Sequence, residues 1–419
     1  MLKIASSKVD VTPDDRGWIF FSRPSNPQPA RDPLFARLFL LEDEGKSLLL
    51  ISIDYGSISL SALDIWKSEL AEILKTSPEN IIIHALHQHD APFINMEAAE
   101  IISPGEDMSW FNKIKETVNA SAAKLTSSLR EVAQIGWSET RVSGYASNRL
   151  VKMPDGLIHP RFSRCFEPEL RDQPVGVIDP MLRTLGFFAP EGELLFAWSF
   201  YSTHPQVANE GKRYSADAPG EALRLLEERY PKVGNALFNG FFGNLSAGKY
   251  TSPTDVEGNI TKFGKIIADA VDLNLQAMEK FPANGFTHTR KTFDYPLRRF
   301  TAEEIASRSE HKFTPPVLKA SQEYNDKHGC GYAVDLIETG SVKLIFVDGE
   351  LFVEYQLFAQ SLIPDQKLAV VGNCGDNYLY IGTARAIEEK QGYEMQHCSR
   401  TLPEFEEIFK STLAELLVK

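Results

Sequence analysis

Three consecutive segments decide the fold class of this chain: KSLLLISID (46–54), LSALDIWKSELAEILK (60–75) and ENIIIHALHQH (79–89). The first and third segments are short and apolar, as is typical of buried strands. The middle segment places Leu63, Trp66 and Leu70 on one helical face, which Ile73 and Leu74 continue. A strand, a helix and a strand in this order predict a βαβ unit, so at least part of the sheet is expected to be parallel.

Strand and helix signals continue through the rest of the chain. Consecutive strands are predicted over 131–142, 181–190 and 193–204, and helices over 109–129, after Asp217 and over 262–281. Two more helices are expected to start at capping boxes, Thr301 with Glu304 and Thr401 with Glu404. Together these elements predict a mixed α/β fold in which partly parallel sheets are flanked by helices. Because no repeat or flexible linker interrupts the chain, we expect a single domain over residues 1–419.

One long stretch, residues 150–179, has no clean period and is rich in Pro, Gly, Arg and aromatic residues. Irregular stretches of this length in compact domains are often binding loops. An ordinary surface loop is an equally good interpretation of the same composition.

Charge and composition restrict the partners of the protein. The net charge is −13 and no lysine or arginine cluster is present, which excludes nucleic acid and anionic membrane as main partners. No apolar run is long enough to span a bilayer, and the amino terminus lacks a secretory signal. With four scattered cysteines, these features predict a cytoplasmic protein, or a secreted or periplasmic one if a signal peptide has been removed. The oligomeric state is not indicated.

Potential metal ligands are most concentrated at the end of the second predicted strand, where His84, His87 and His89 lie within six residues. In parallel sheets ligands bind at the carboxyl ends of strands. His87 and His89 are two residues apart, so on an extended backbone they would point to the same side. We interpret His84 as a structural histidine of the core.

A metal site needs further ligands, and four other segments contain candidates. His204 ends the predicted strand 193–204, and it is equally well a ligand or a packed strand-end histidine. Glu350 follows the strand VKLIFV in what resembles a hairpin turn, where it is either solvated or a ligand. Tyr380 is typical of a packing tyrosine at a strand end. Ser246 lies in the turn of NGFFGNLSAG, which brings backbone N–H groups close to a bound group but is also an ordinary strand-to-helix turn.

Five of these segments, in order, resemble the signature segments of the neutral/alkaline ceramidases. The segment LHQHDAP (86–92) is similar to that family's Thr-His-Thr-His-Ser-Gly-Pro at both histidines and the proline. The other matching segments are STH (202–204), GNLSA (243–247), GELF (349–352) and YIGT (380–383), with Tyr393-Glu394 following the last.

The chain also departs from the family pattern. Asp90 and Ala91 stand where the family has Ser-Gly, and Asn244 and Ala247 stand where it has Asp and Pro. Because the chain ends at residue 419 in a predicted helix, we expect it to lack the carboxy-terminal sandwich domain of the long ceramidases. The resemblance therefore supports the metal site better than it supports the lipid specificity.

The resemblance implies a zinc-dependent hydrolase that cleaves an amide (N-acyl) bond, such as that of the sphingolipid ceramide. Zinc would be held by His87, His204, Glu350 and Tyr380, with water at the remaining position. Zinc lowers the pKa of bound water toward ~7 and polarises the scissile carbonyl.

The resemblance also implies roles for four residues around the metal. His89 would shuttle a proton to the leaving amine, and Tyr393 would donate a hydrogen bond to the developing oxyanion. Arg149 is a weaker candidate for anchoring an oxyanion, its alternative being a surface salt bridge. Ser246 would either assist catalysis or only shape its turn.

Two alternatives stay open from the sequence. The same zinc site could act on a soluble amide or ester, such as an N-acyl amino sugar. A non-catalytic binding protein of the same fold is the second alternative, although the presence of every ligand type argues against it.

Overall fold

Three large mixed β-sheets, each covered by helices, build most of the described part of the chain. The structure is a computed structural model, and it describes residues 1–14, 17–20, 23, 26–295, 297–307, 314–375 and 377–418. The strands are β1 Lys3–Asp10, β2 Phe35–Asp43, β3 Lys46–Ile53, β4 Ser57–Ile58, β5 Ile81–Ala85, β6 Phe93–Ile94, β7 Arg130–Glu131, β8 Gln134–Arg141, β9 Ser147–Asn148, β10 Leu150–Lys152, β11 Ile158–Pro160, β12 Met181–Phe188, β13 Leu194–Tyr201, β14 Gly234–Asn239, β15 Leu245–Ser246, β16 Glu279–Pro282, β17 Phe286–Asp294, β18 Gly331–Thr339, β19 Val342–Val347, β20 Glu350–Leu351, β21 Lys367–Val371 and β22 Tyr380–Ile381. The helices are α1 Leu60–Leu74, α2 Met96–Ile102, α3 Ser109–Leu125, α4 Pro168–Asp172, α5 Asp217–Arg229, α6 Val256–Ala277, α7 Ala302–Ala306, α8 Thr314–His328, α9 Val353–Leu362, α10 Ala384–Glu388 and α11 Phe405–Leu417, with a π-helix at Glu394–Cys398.

The three large sheets share one construction. Their strand orders are β5-β3-β2-β1-β7, β14-β13-β12-β8-β16 and β17-β18-β19-β21. Each sheet is antiparallel except for one parallel pair at an edge: β3–β5, β13–β14 and β19–β21. The mixed α/β fold with partly parallel sheets is therefore confirmed.

The βαβ unit predicted from the first segments is present. Strands β3 and β5 pair in parallel, with Leu49 opposite Ile81, and α1 connects them. The boundary of the second strand was predicted wrongly, because β5 ends at Ala85 and the two histidines of the motif lie beyond it.

Helices cover the outer face of every sheet, and the inner faces meet in a central core. Helices α1 and α3 pack on the first sheet, α5 and α6 on the second, and α9 and α11 on the third. The central cluster takes Leu50, Trp198 and Phe346 from the three sheets in turn, and all three side chains are fully buried. Complete burial of a large apolar side chain is worth ~1.5–3 kcal/mol, so this cluster binds the sheets to one another.

Two predicted helix starts had opposite outcomes. The capping box of Thr301 and Glu304 is formed, and it opens α7. The box at Thr401 was predicted wrongly, since α11 begins at Phe405 without a side-chain cap. The Thr401 hydroxyl is instead 3.1 Å from the Ser399 hydroxyl, so a local polar contact has replaced the cap.

The irregular stretch 150–179 is held from within by a buried arginine. It contains the short hairpin β10–β11 and the single turn of α4. The guanidinium of Arg161 donates hydrogen bonds to the carbonyl oxygens of Asn148, Leu170, Gln173 and Pro174. A guanidinium carries five N–H donors in one plane. It can therefore bind several backbone carbonyls of an irregular segment, which have no partners in a β-sheet.

No helix among the described residues is both long and apolar enough to cross a bilayer.

Candidate metal and catalytic site

The candidate site lies where the carboxyl ends of the three parallel strand pairs meet. His87 follows β5, His204 follows β13 and Glu350 follows β19. Each sheet thus supplies one side chain from the strand end at which α/β folds bind ligands.

His87 is oriented by its backbone and by a carbonyl. Its φ angle is +72°, and its N–H donates to the carbonyl of Tyr55 at 2.8 Å, so the chain crosses the end of β3 instead of continuing β5. The expectation that His87 and His89 share one side of an extended strand is therefore wrong, although their rings still lie 5.1 Å apart. His87 Nδ1 donates to the carbonyl of Gly56 at 2.9 Å, which leaves the lone pair on Nε2.

His204 is held in the same tautomer. Its Nδ1 lies 2.9 Å from the carbonyl oxygen of Leu245 and 3.1 Å from that of Phe242. Its Nε2 lies 3.0 Å from Glu350 Oε2, and His87 Nε2 lies 3.4 Å from the same oxygen. The two imidazoles and the carboxylate therefore converge on one small volume.

Glu350 does not lie in a hairpin turn as expected. It begins β20, which pairs in parallel with β22, so that Glu350 is opposite Tyr380 and the Tyr380 hydroxyl hydrogen-bonds to its carboxylate. The side chain is buried, and Oε2 has no hydrogen-bond donor among the described residues. Burial raises the pKa of the Glu350 carboxyl, and His87 and Arg149 oppose this shift.

The protonation states suit a cation. Burial lowers the pKa of His87 to about 4 and that of His204 well below its ordinary value of 6.5. Both rings are thus neutral at neutral pH, with their Nε2 lone pairs facing a carboxylate oxygen. Such an arrangement is unfavourable unless a positive charge lies among the three atoms. Two imidazoles with carboxylate and phenol oxygens form a donor set that fits zinc.

His89 completes the histidine cluster. One ligand atom each from His87, His89 and His204 can be chosen within 4.8 Å of one another, so the three histidines could hold a metal ion. The Gln206 amide lies 3.0 Å from His89 Nδ1, and His89 Nε2 is buried without a hydrogen-bond partner in the described part of the chain.

Arg149 lies inside the site. It is buried, its Nε is 2.5 Å from Glu394 Oε1, and its Nη1 is 3.4 Å from His204 Nε2. Its guanidinium also lies 5.0 Å from the centre of the Tyr380 ring. The alternative interpretation of Arg149 as a surface salt-bridge residue is therefore wrong.

Tyr393 packs edge-on against Tyr380. Their ring centres are 5.9 Å apart, and the Tyr393 side chain hydrogen-bonds to Cys398. Phe162 packs edge-on against the Tyr393 ring at 6.0 Å, which brings the irregular stretch 150–179 to the edge of the site.

The Ser246 hydroxyl is hydrogen-bonded to backbone groups. It donates to the carbonyl of Arg161 at 2.6 Å and accepts from the N–H of Gly248 at 3.3 Å. This position fits the alternative in which Ser246 shapes the turn.

The contacts of several site residues had no distinct sequence signal. Glu394 belongs to the Tyr393-Glu394 match, but this match does not mark it as the partner of Arg149, and nothing marks Gln206 after His204-Pro205. Asn373 is buried at a φ of +53° and donates to the carbonyls of Ala85 and Gly56. The residue type is the only sequence signal for this backbone conformation, because asparagine tolerates the left-handed region.

A cavity of about 80 Å³ opens beside these groups. Its walls are Phe20, His87, His89, Phe93, Thr314, Val317, Glu350, Leu379, Tyr380, Tyr393 and Cys398. The lining combines ionisable and hydroxyl-bearing side chains with aromatic and aliphatic ones.

The fold is similar to that of solved ceramidases. The neutral ceramidase from Pseudomonas aeruginosa superposes with a TM-score of 0.74 at 17% identity, covering 100% of this chain and 74% of that one. A ceramidase in complex with C2 superposes with a TM-score of 0.74 at 16% identity, covering 100% of this chain and 75% of that one. No protein-family model and no curated protein matches the sequence. The resemblance to ceramidases drawn from the motifs is thus confirmed at the level of the fold.

Proposed function

We propose that this protein is a zinc-dependent hydrolase that cleaves an amide (N-acyl) bond. The observation that carries the proposal is the convergence of His87 Nε2 and His204 Nε2 on Glu350 Oε2, at 3.4 and 3.0 Å, in a buried pocket. The likeness in fold to ceramidases supports the same reaction class.

His87, His204, Glu350 and Tyr380 would hold the zinc, and His89 lies beside them. A bound zinc supplies a Lewis acid that polarises a carbonyl oxygen and makes water a better nucleophile. The carbonyls of Gly56 and Leu245 accept from the Nδ1 atoms and so leave both Nε2 lone pairs free to bind a metal.

The remaining chemistry belongs to side chains of the chain itself. Hydrolysis forms a bond from the water oxygen to the acyl carbon and breaks the bond from that carbon to nitrogen, so the water loses a proton and the leaving nitrogen gains one. His89, with Gln206 3.0 Å from Nδ1 and with Nε2 unpartnered among the described residues, is placed to accept the proton from water and pass it to the leaving nitrogen. Tyr393 and Arg149 are the donors for the oxyanion, and Arg149 Nη2 is buried without a partner among the described residues.

The acyl compound is either a lipid amide such as ceramide or a soluble amide or ester. A non-catalytic binding protein is disfavoured, because such a protein needs no neutral imidazoles arranged around an unpartnered carboxylate oxygen. The apolar side chains in the lining of the cavity, among them Phe20, Phe93 and Val317, suit the alkyl part of an acyl group.

The first test is the metal content of the purified protein by elemental analysis. Wild type should carry about one zinc per chain, and His204→Ala should lose most of it because one of the ligands is gone. His159→Ala is the matched control, since His159 lies exposed on the β10–β11 hairpin with Asp155 as its partner, and it should retain zinc.

Activity is then measured on short-chain ceramide and on soluble N-acyl amines. His204→Ala should abolish turnover, whereas His159→Ala should not change it. A wild type that binds no metal under zinc-replete conditions contradicts the proposal and favours a metal-free binding role.

A further inference from the structure

The cavity beside the proposed metal ligands is amphipathic. His87, Glu350 and Tyr380 bring polar groups to its lining. Phe20 and Phe93, with Val317 from α8, bring apolar side chains, and the Phe93 ring centre lies 5.2 Å from that of His87. An acyl group likewise combines a reactive carbonyl with an alkyl portion.

The apolar wall is fixed by close packing. The Phe20 and Phe93 rings lie 4.3 Å apart, and Phe93 belongs with Val317 to one buried cluster. A Cβ on Gly56 would lie 1.9 Å from the Phe93 ring, so this ring rests directly on the backbone whose carbonyl holds His87. Moving such closely packed side chains to admit a larger ligand costs free energy.

The volume of the cavity is small. It measures about 80 Å³, whereas pockets for drug-sized ligands are typically ~300–1,000 Å³. One water molecule needs ~10–15 Å³ on the same measure, so the space suits a group of a few heavy atoms. A long acyl chain does not fit within it.

We propose that this cavity is the acyl subsite and that it selects a compact acyl group, from acetyl to butyryl, with the amine portion of the substrate outside. This inference rests on the proposed hydrolase function. The acyl portion is assigned to the cavity because the departing amine takes up a proton, and a charged group is disfavoured beside Phe20, Phe93 and Val317.

The test uses N-acetyl, N-butyryl and N-octanoyl derivatives of one soluble amine. Hydrophobic pockets discriminate by ~10–200-fold for a single methylene, so wild-type kcat/KM should fall at least about tenfold from acetyl to octanoyl. Val317→Ala enlarges the cavity and should raise the octanoyl-to-acetyl ratio of kcat/KM by about tenfold. Val271→Ala is the matched control, since Val271 is equally buried in α6 within a different cluster, and it should leave the ratio unchanged.

The outcomes separate this inference from the proposed function. Turnover of all three amides with no preference for the short ones overturns the subsite but keeps the hydrolase. Absence of any turnover overturns the hydrolase. Calorimetric binding of acetate, butyrate and octanoate then decides the subsite, since wild type should bind the two short acids and Val317→Ala should gain octanoate. Equal binding of all three acids by wild type overturns the subsite without any reference to activity.

Discussion

Arg149 and Glu394 show what single residues contribute to this site. Both side chains are buried, and their charged atoms lie 2.5 Å apart. Burial raises the pKa of the Glu394 carboxyl, and Arg149 opposes that shift. The pair keeps a guanidinium beside His204 and Tyr380, where an uncompensated charge would not be tolerated.

Glu394→Gln should therefore destabilise the protein far more than a surface change of the same kind. It leaves the Arg149 charge buried without a partner, and breaking such a pair costs ~3–5 kcal/mol in the free energy of unfolding. Urea denaturation measures the effect. Glu228→Gln is the control, because its pair with Arg224 is exposed and should contribute only ~0–1 kcal/mol. Equal effects of the two changes would mean that the buried pair has no special role.

At the scale of elements, the site depends on how the loops after the parallel strands pack on one another. The loop after β14 approaches β20 so closely that a Cβ on Gly243 would lie 2.2 Å from the carbonyl oxygen of Glu350. The N–H of Gly243 also donates to the carbonyl of Leu351 at 2.8 Å. Only a glycine permits this approach, which sets the distance between the loop that holds His204 and the strand that carries Glu350.

Gly243→Ala should move Glu350 away from the two histidines. We expect a loss of ~1–3 kcal/mol in the free energy of unfolding from overpacking, and a loss of ~10–100-fold in zinc affinity from the misplaced ligand. Competition with a chromogenic chelator measures the affinity. Gly331→Ala is the control, because the nearest atom to its added Cβ lies 3.9 Å away, and both quantities should stay close to wild type. Unchanged zinc affinity in Gly243→Ala would show that the loop does not position the ligand.

At the scale of the whole molecule, His84 connects the three sheets. It lies in β5, its Nδ1 is 2.9 Å from the carbonyl of Gly372 after β21, and its Nε2 accepts from the N–H of Asn239 at the end of β14. Both ring nitrogens thus have backbone partners, which supports the structural role expected from the sequence. Burial lowers the pKa of His84 to about 3.

The stability of the protein should therefore depend on pH through His84. The unfolded chain binds a proton on His84 below its ordinary pKa of 6.5, whereas the folded chain does not until about pH 3. This contribution to stability is complete above pH 6.5 and is lost as the pH falls toward 3. The difference in unfolding free energy between wild type and His84→Asn should shrink by ~1.4 kcal/mol for each pH unit below 6.5. Because both proteins share the metal site, parallel curves would contradict the assignment to His84.

Much of the fold and part of the site could be predicted from the sequence, since both depend on local patterns. The apolar segments 46–54 and 79–89 around an amphipathic helix specify a parallel strand pair wherever they fold. The spacing of His87 and His89 after a strand, together with the ceramidase-like segments, indicated the chemistry and the candidates His204 and Glu350.

The meeting of those candidates was decided by the tertiary structure alone. His87 and Glu350 follow strands of different sheets and are separated by most of the chain. No local sequence pattern can therefore predict the distance between their side chains. The left-handed turn at His87, the pairing of Arg149 with Glu394 and the hydrogen bond from Ser246 to the Arg161 carbonyl all depend on groups that packing brings near. Local sequence patterns determine at the end of which strand a residue lies. Only the packing of the three sheets around one core determines which strand ends face one another.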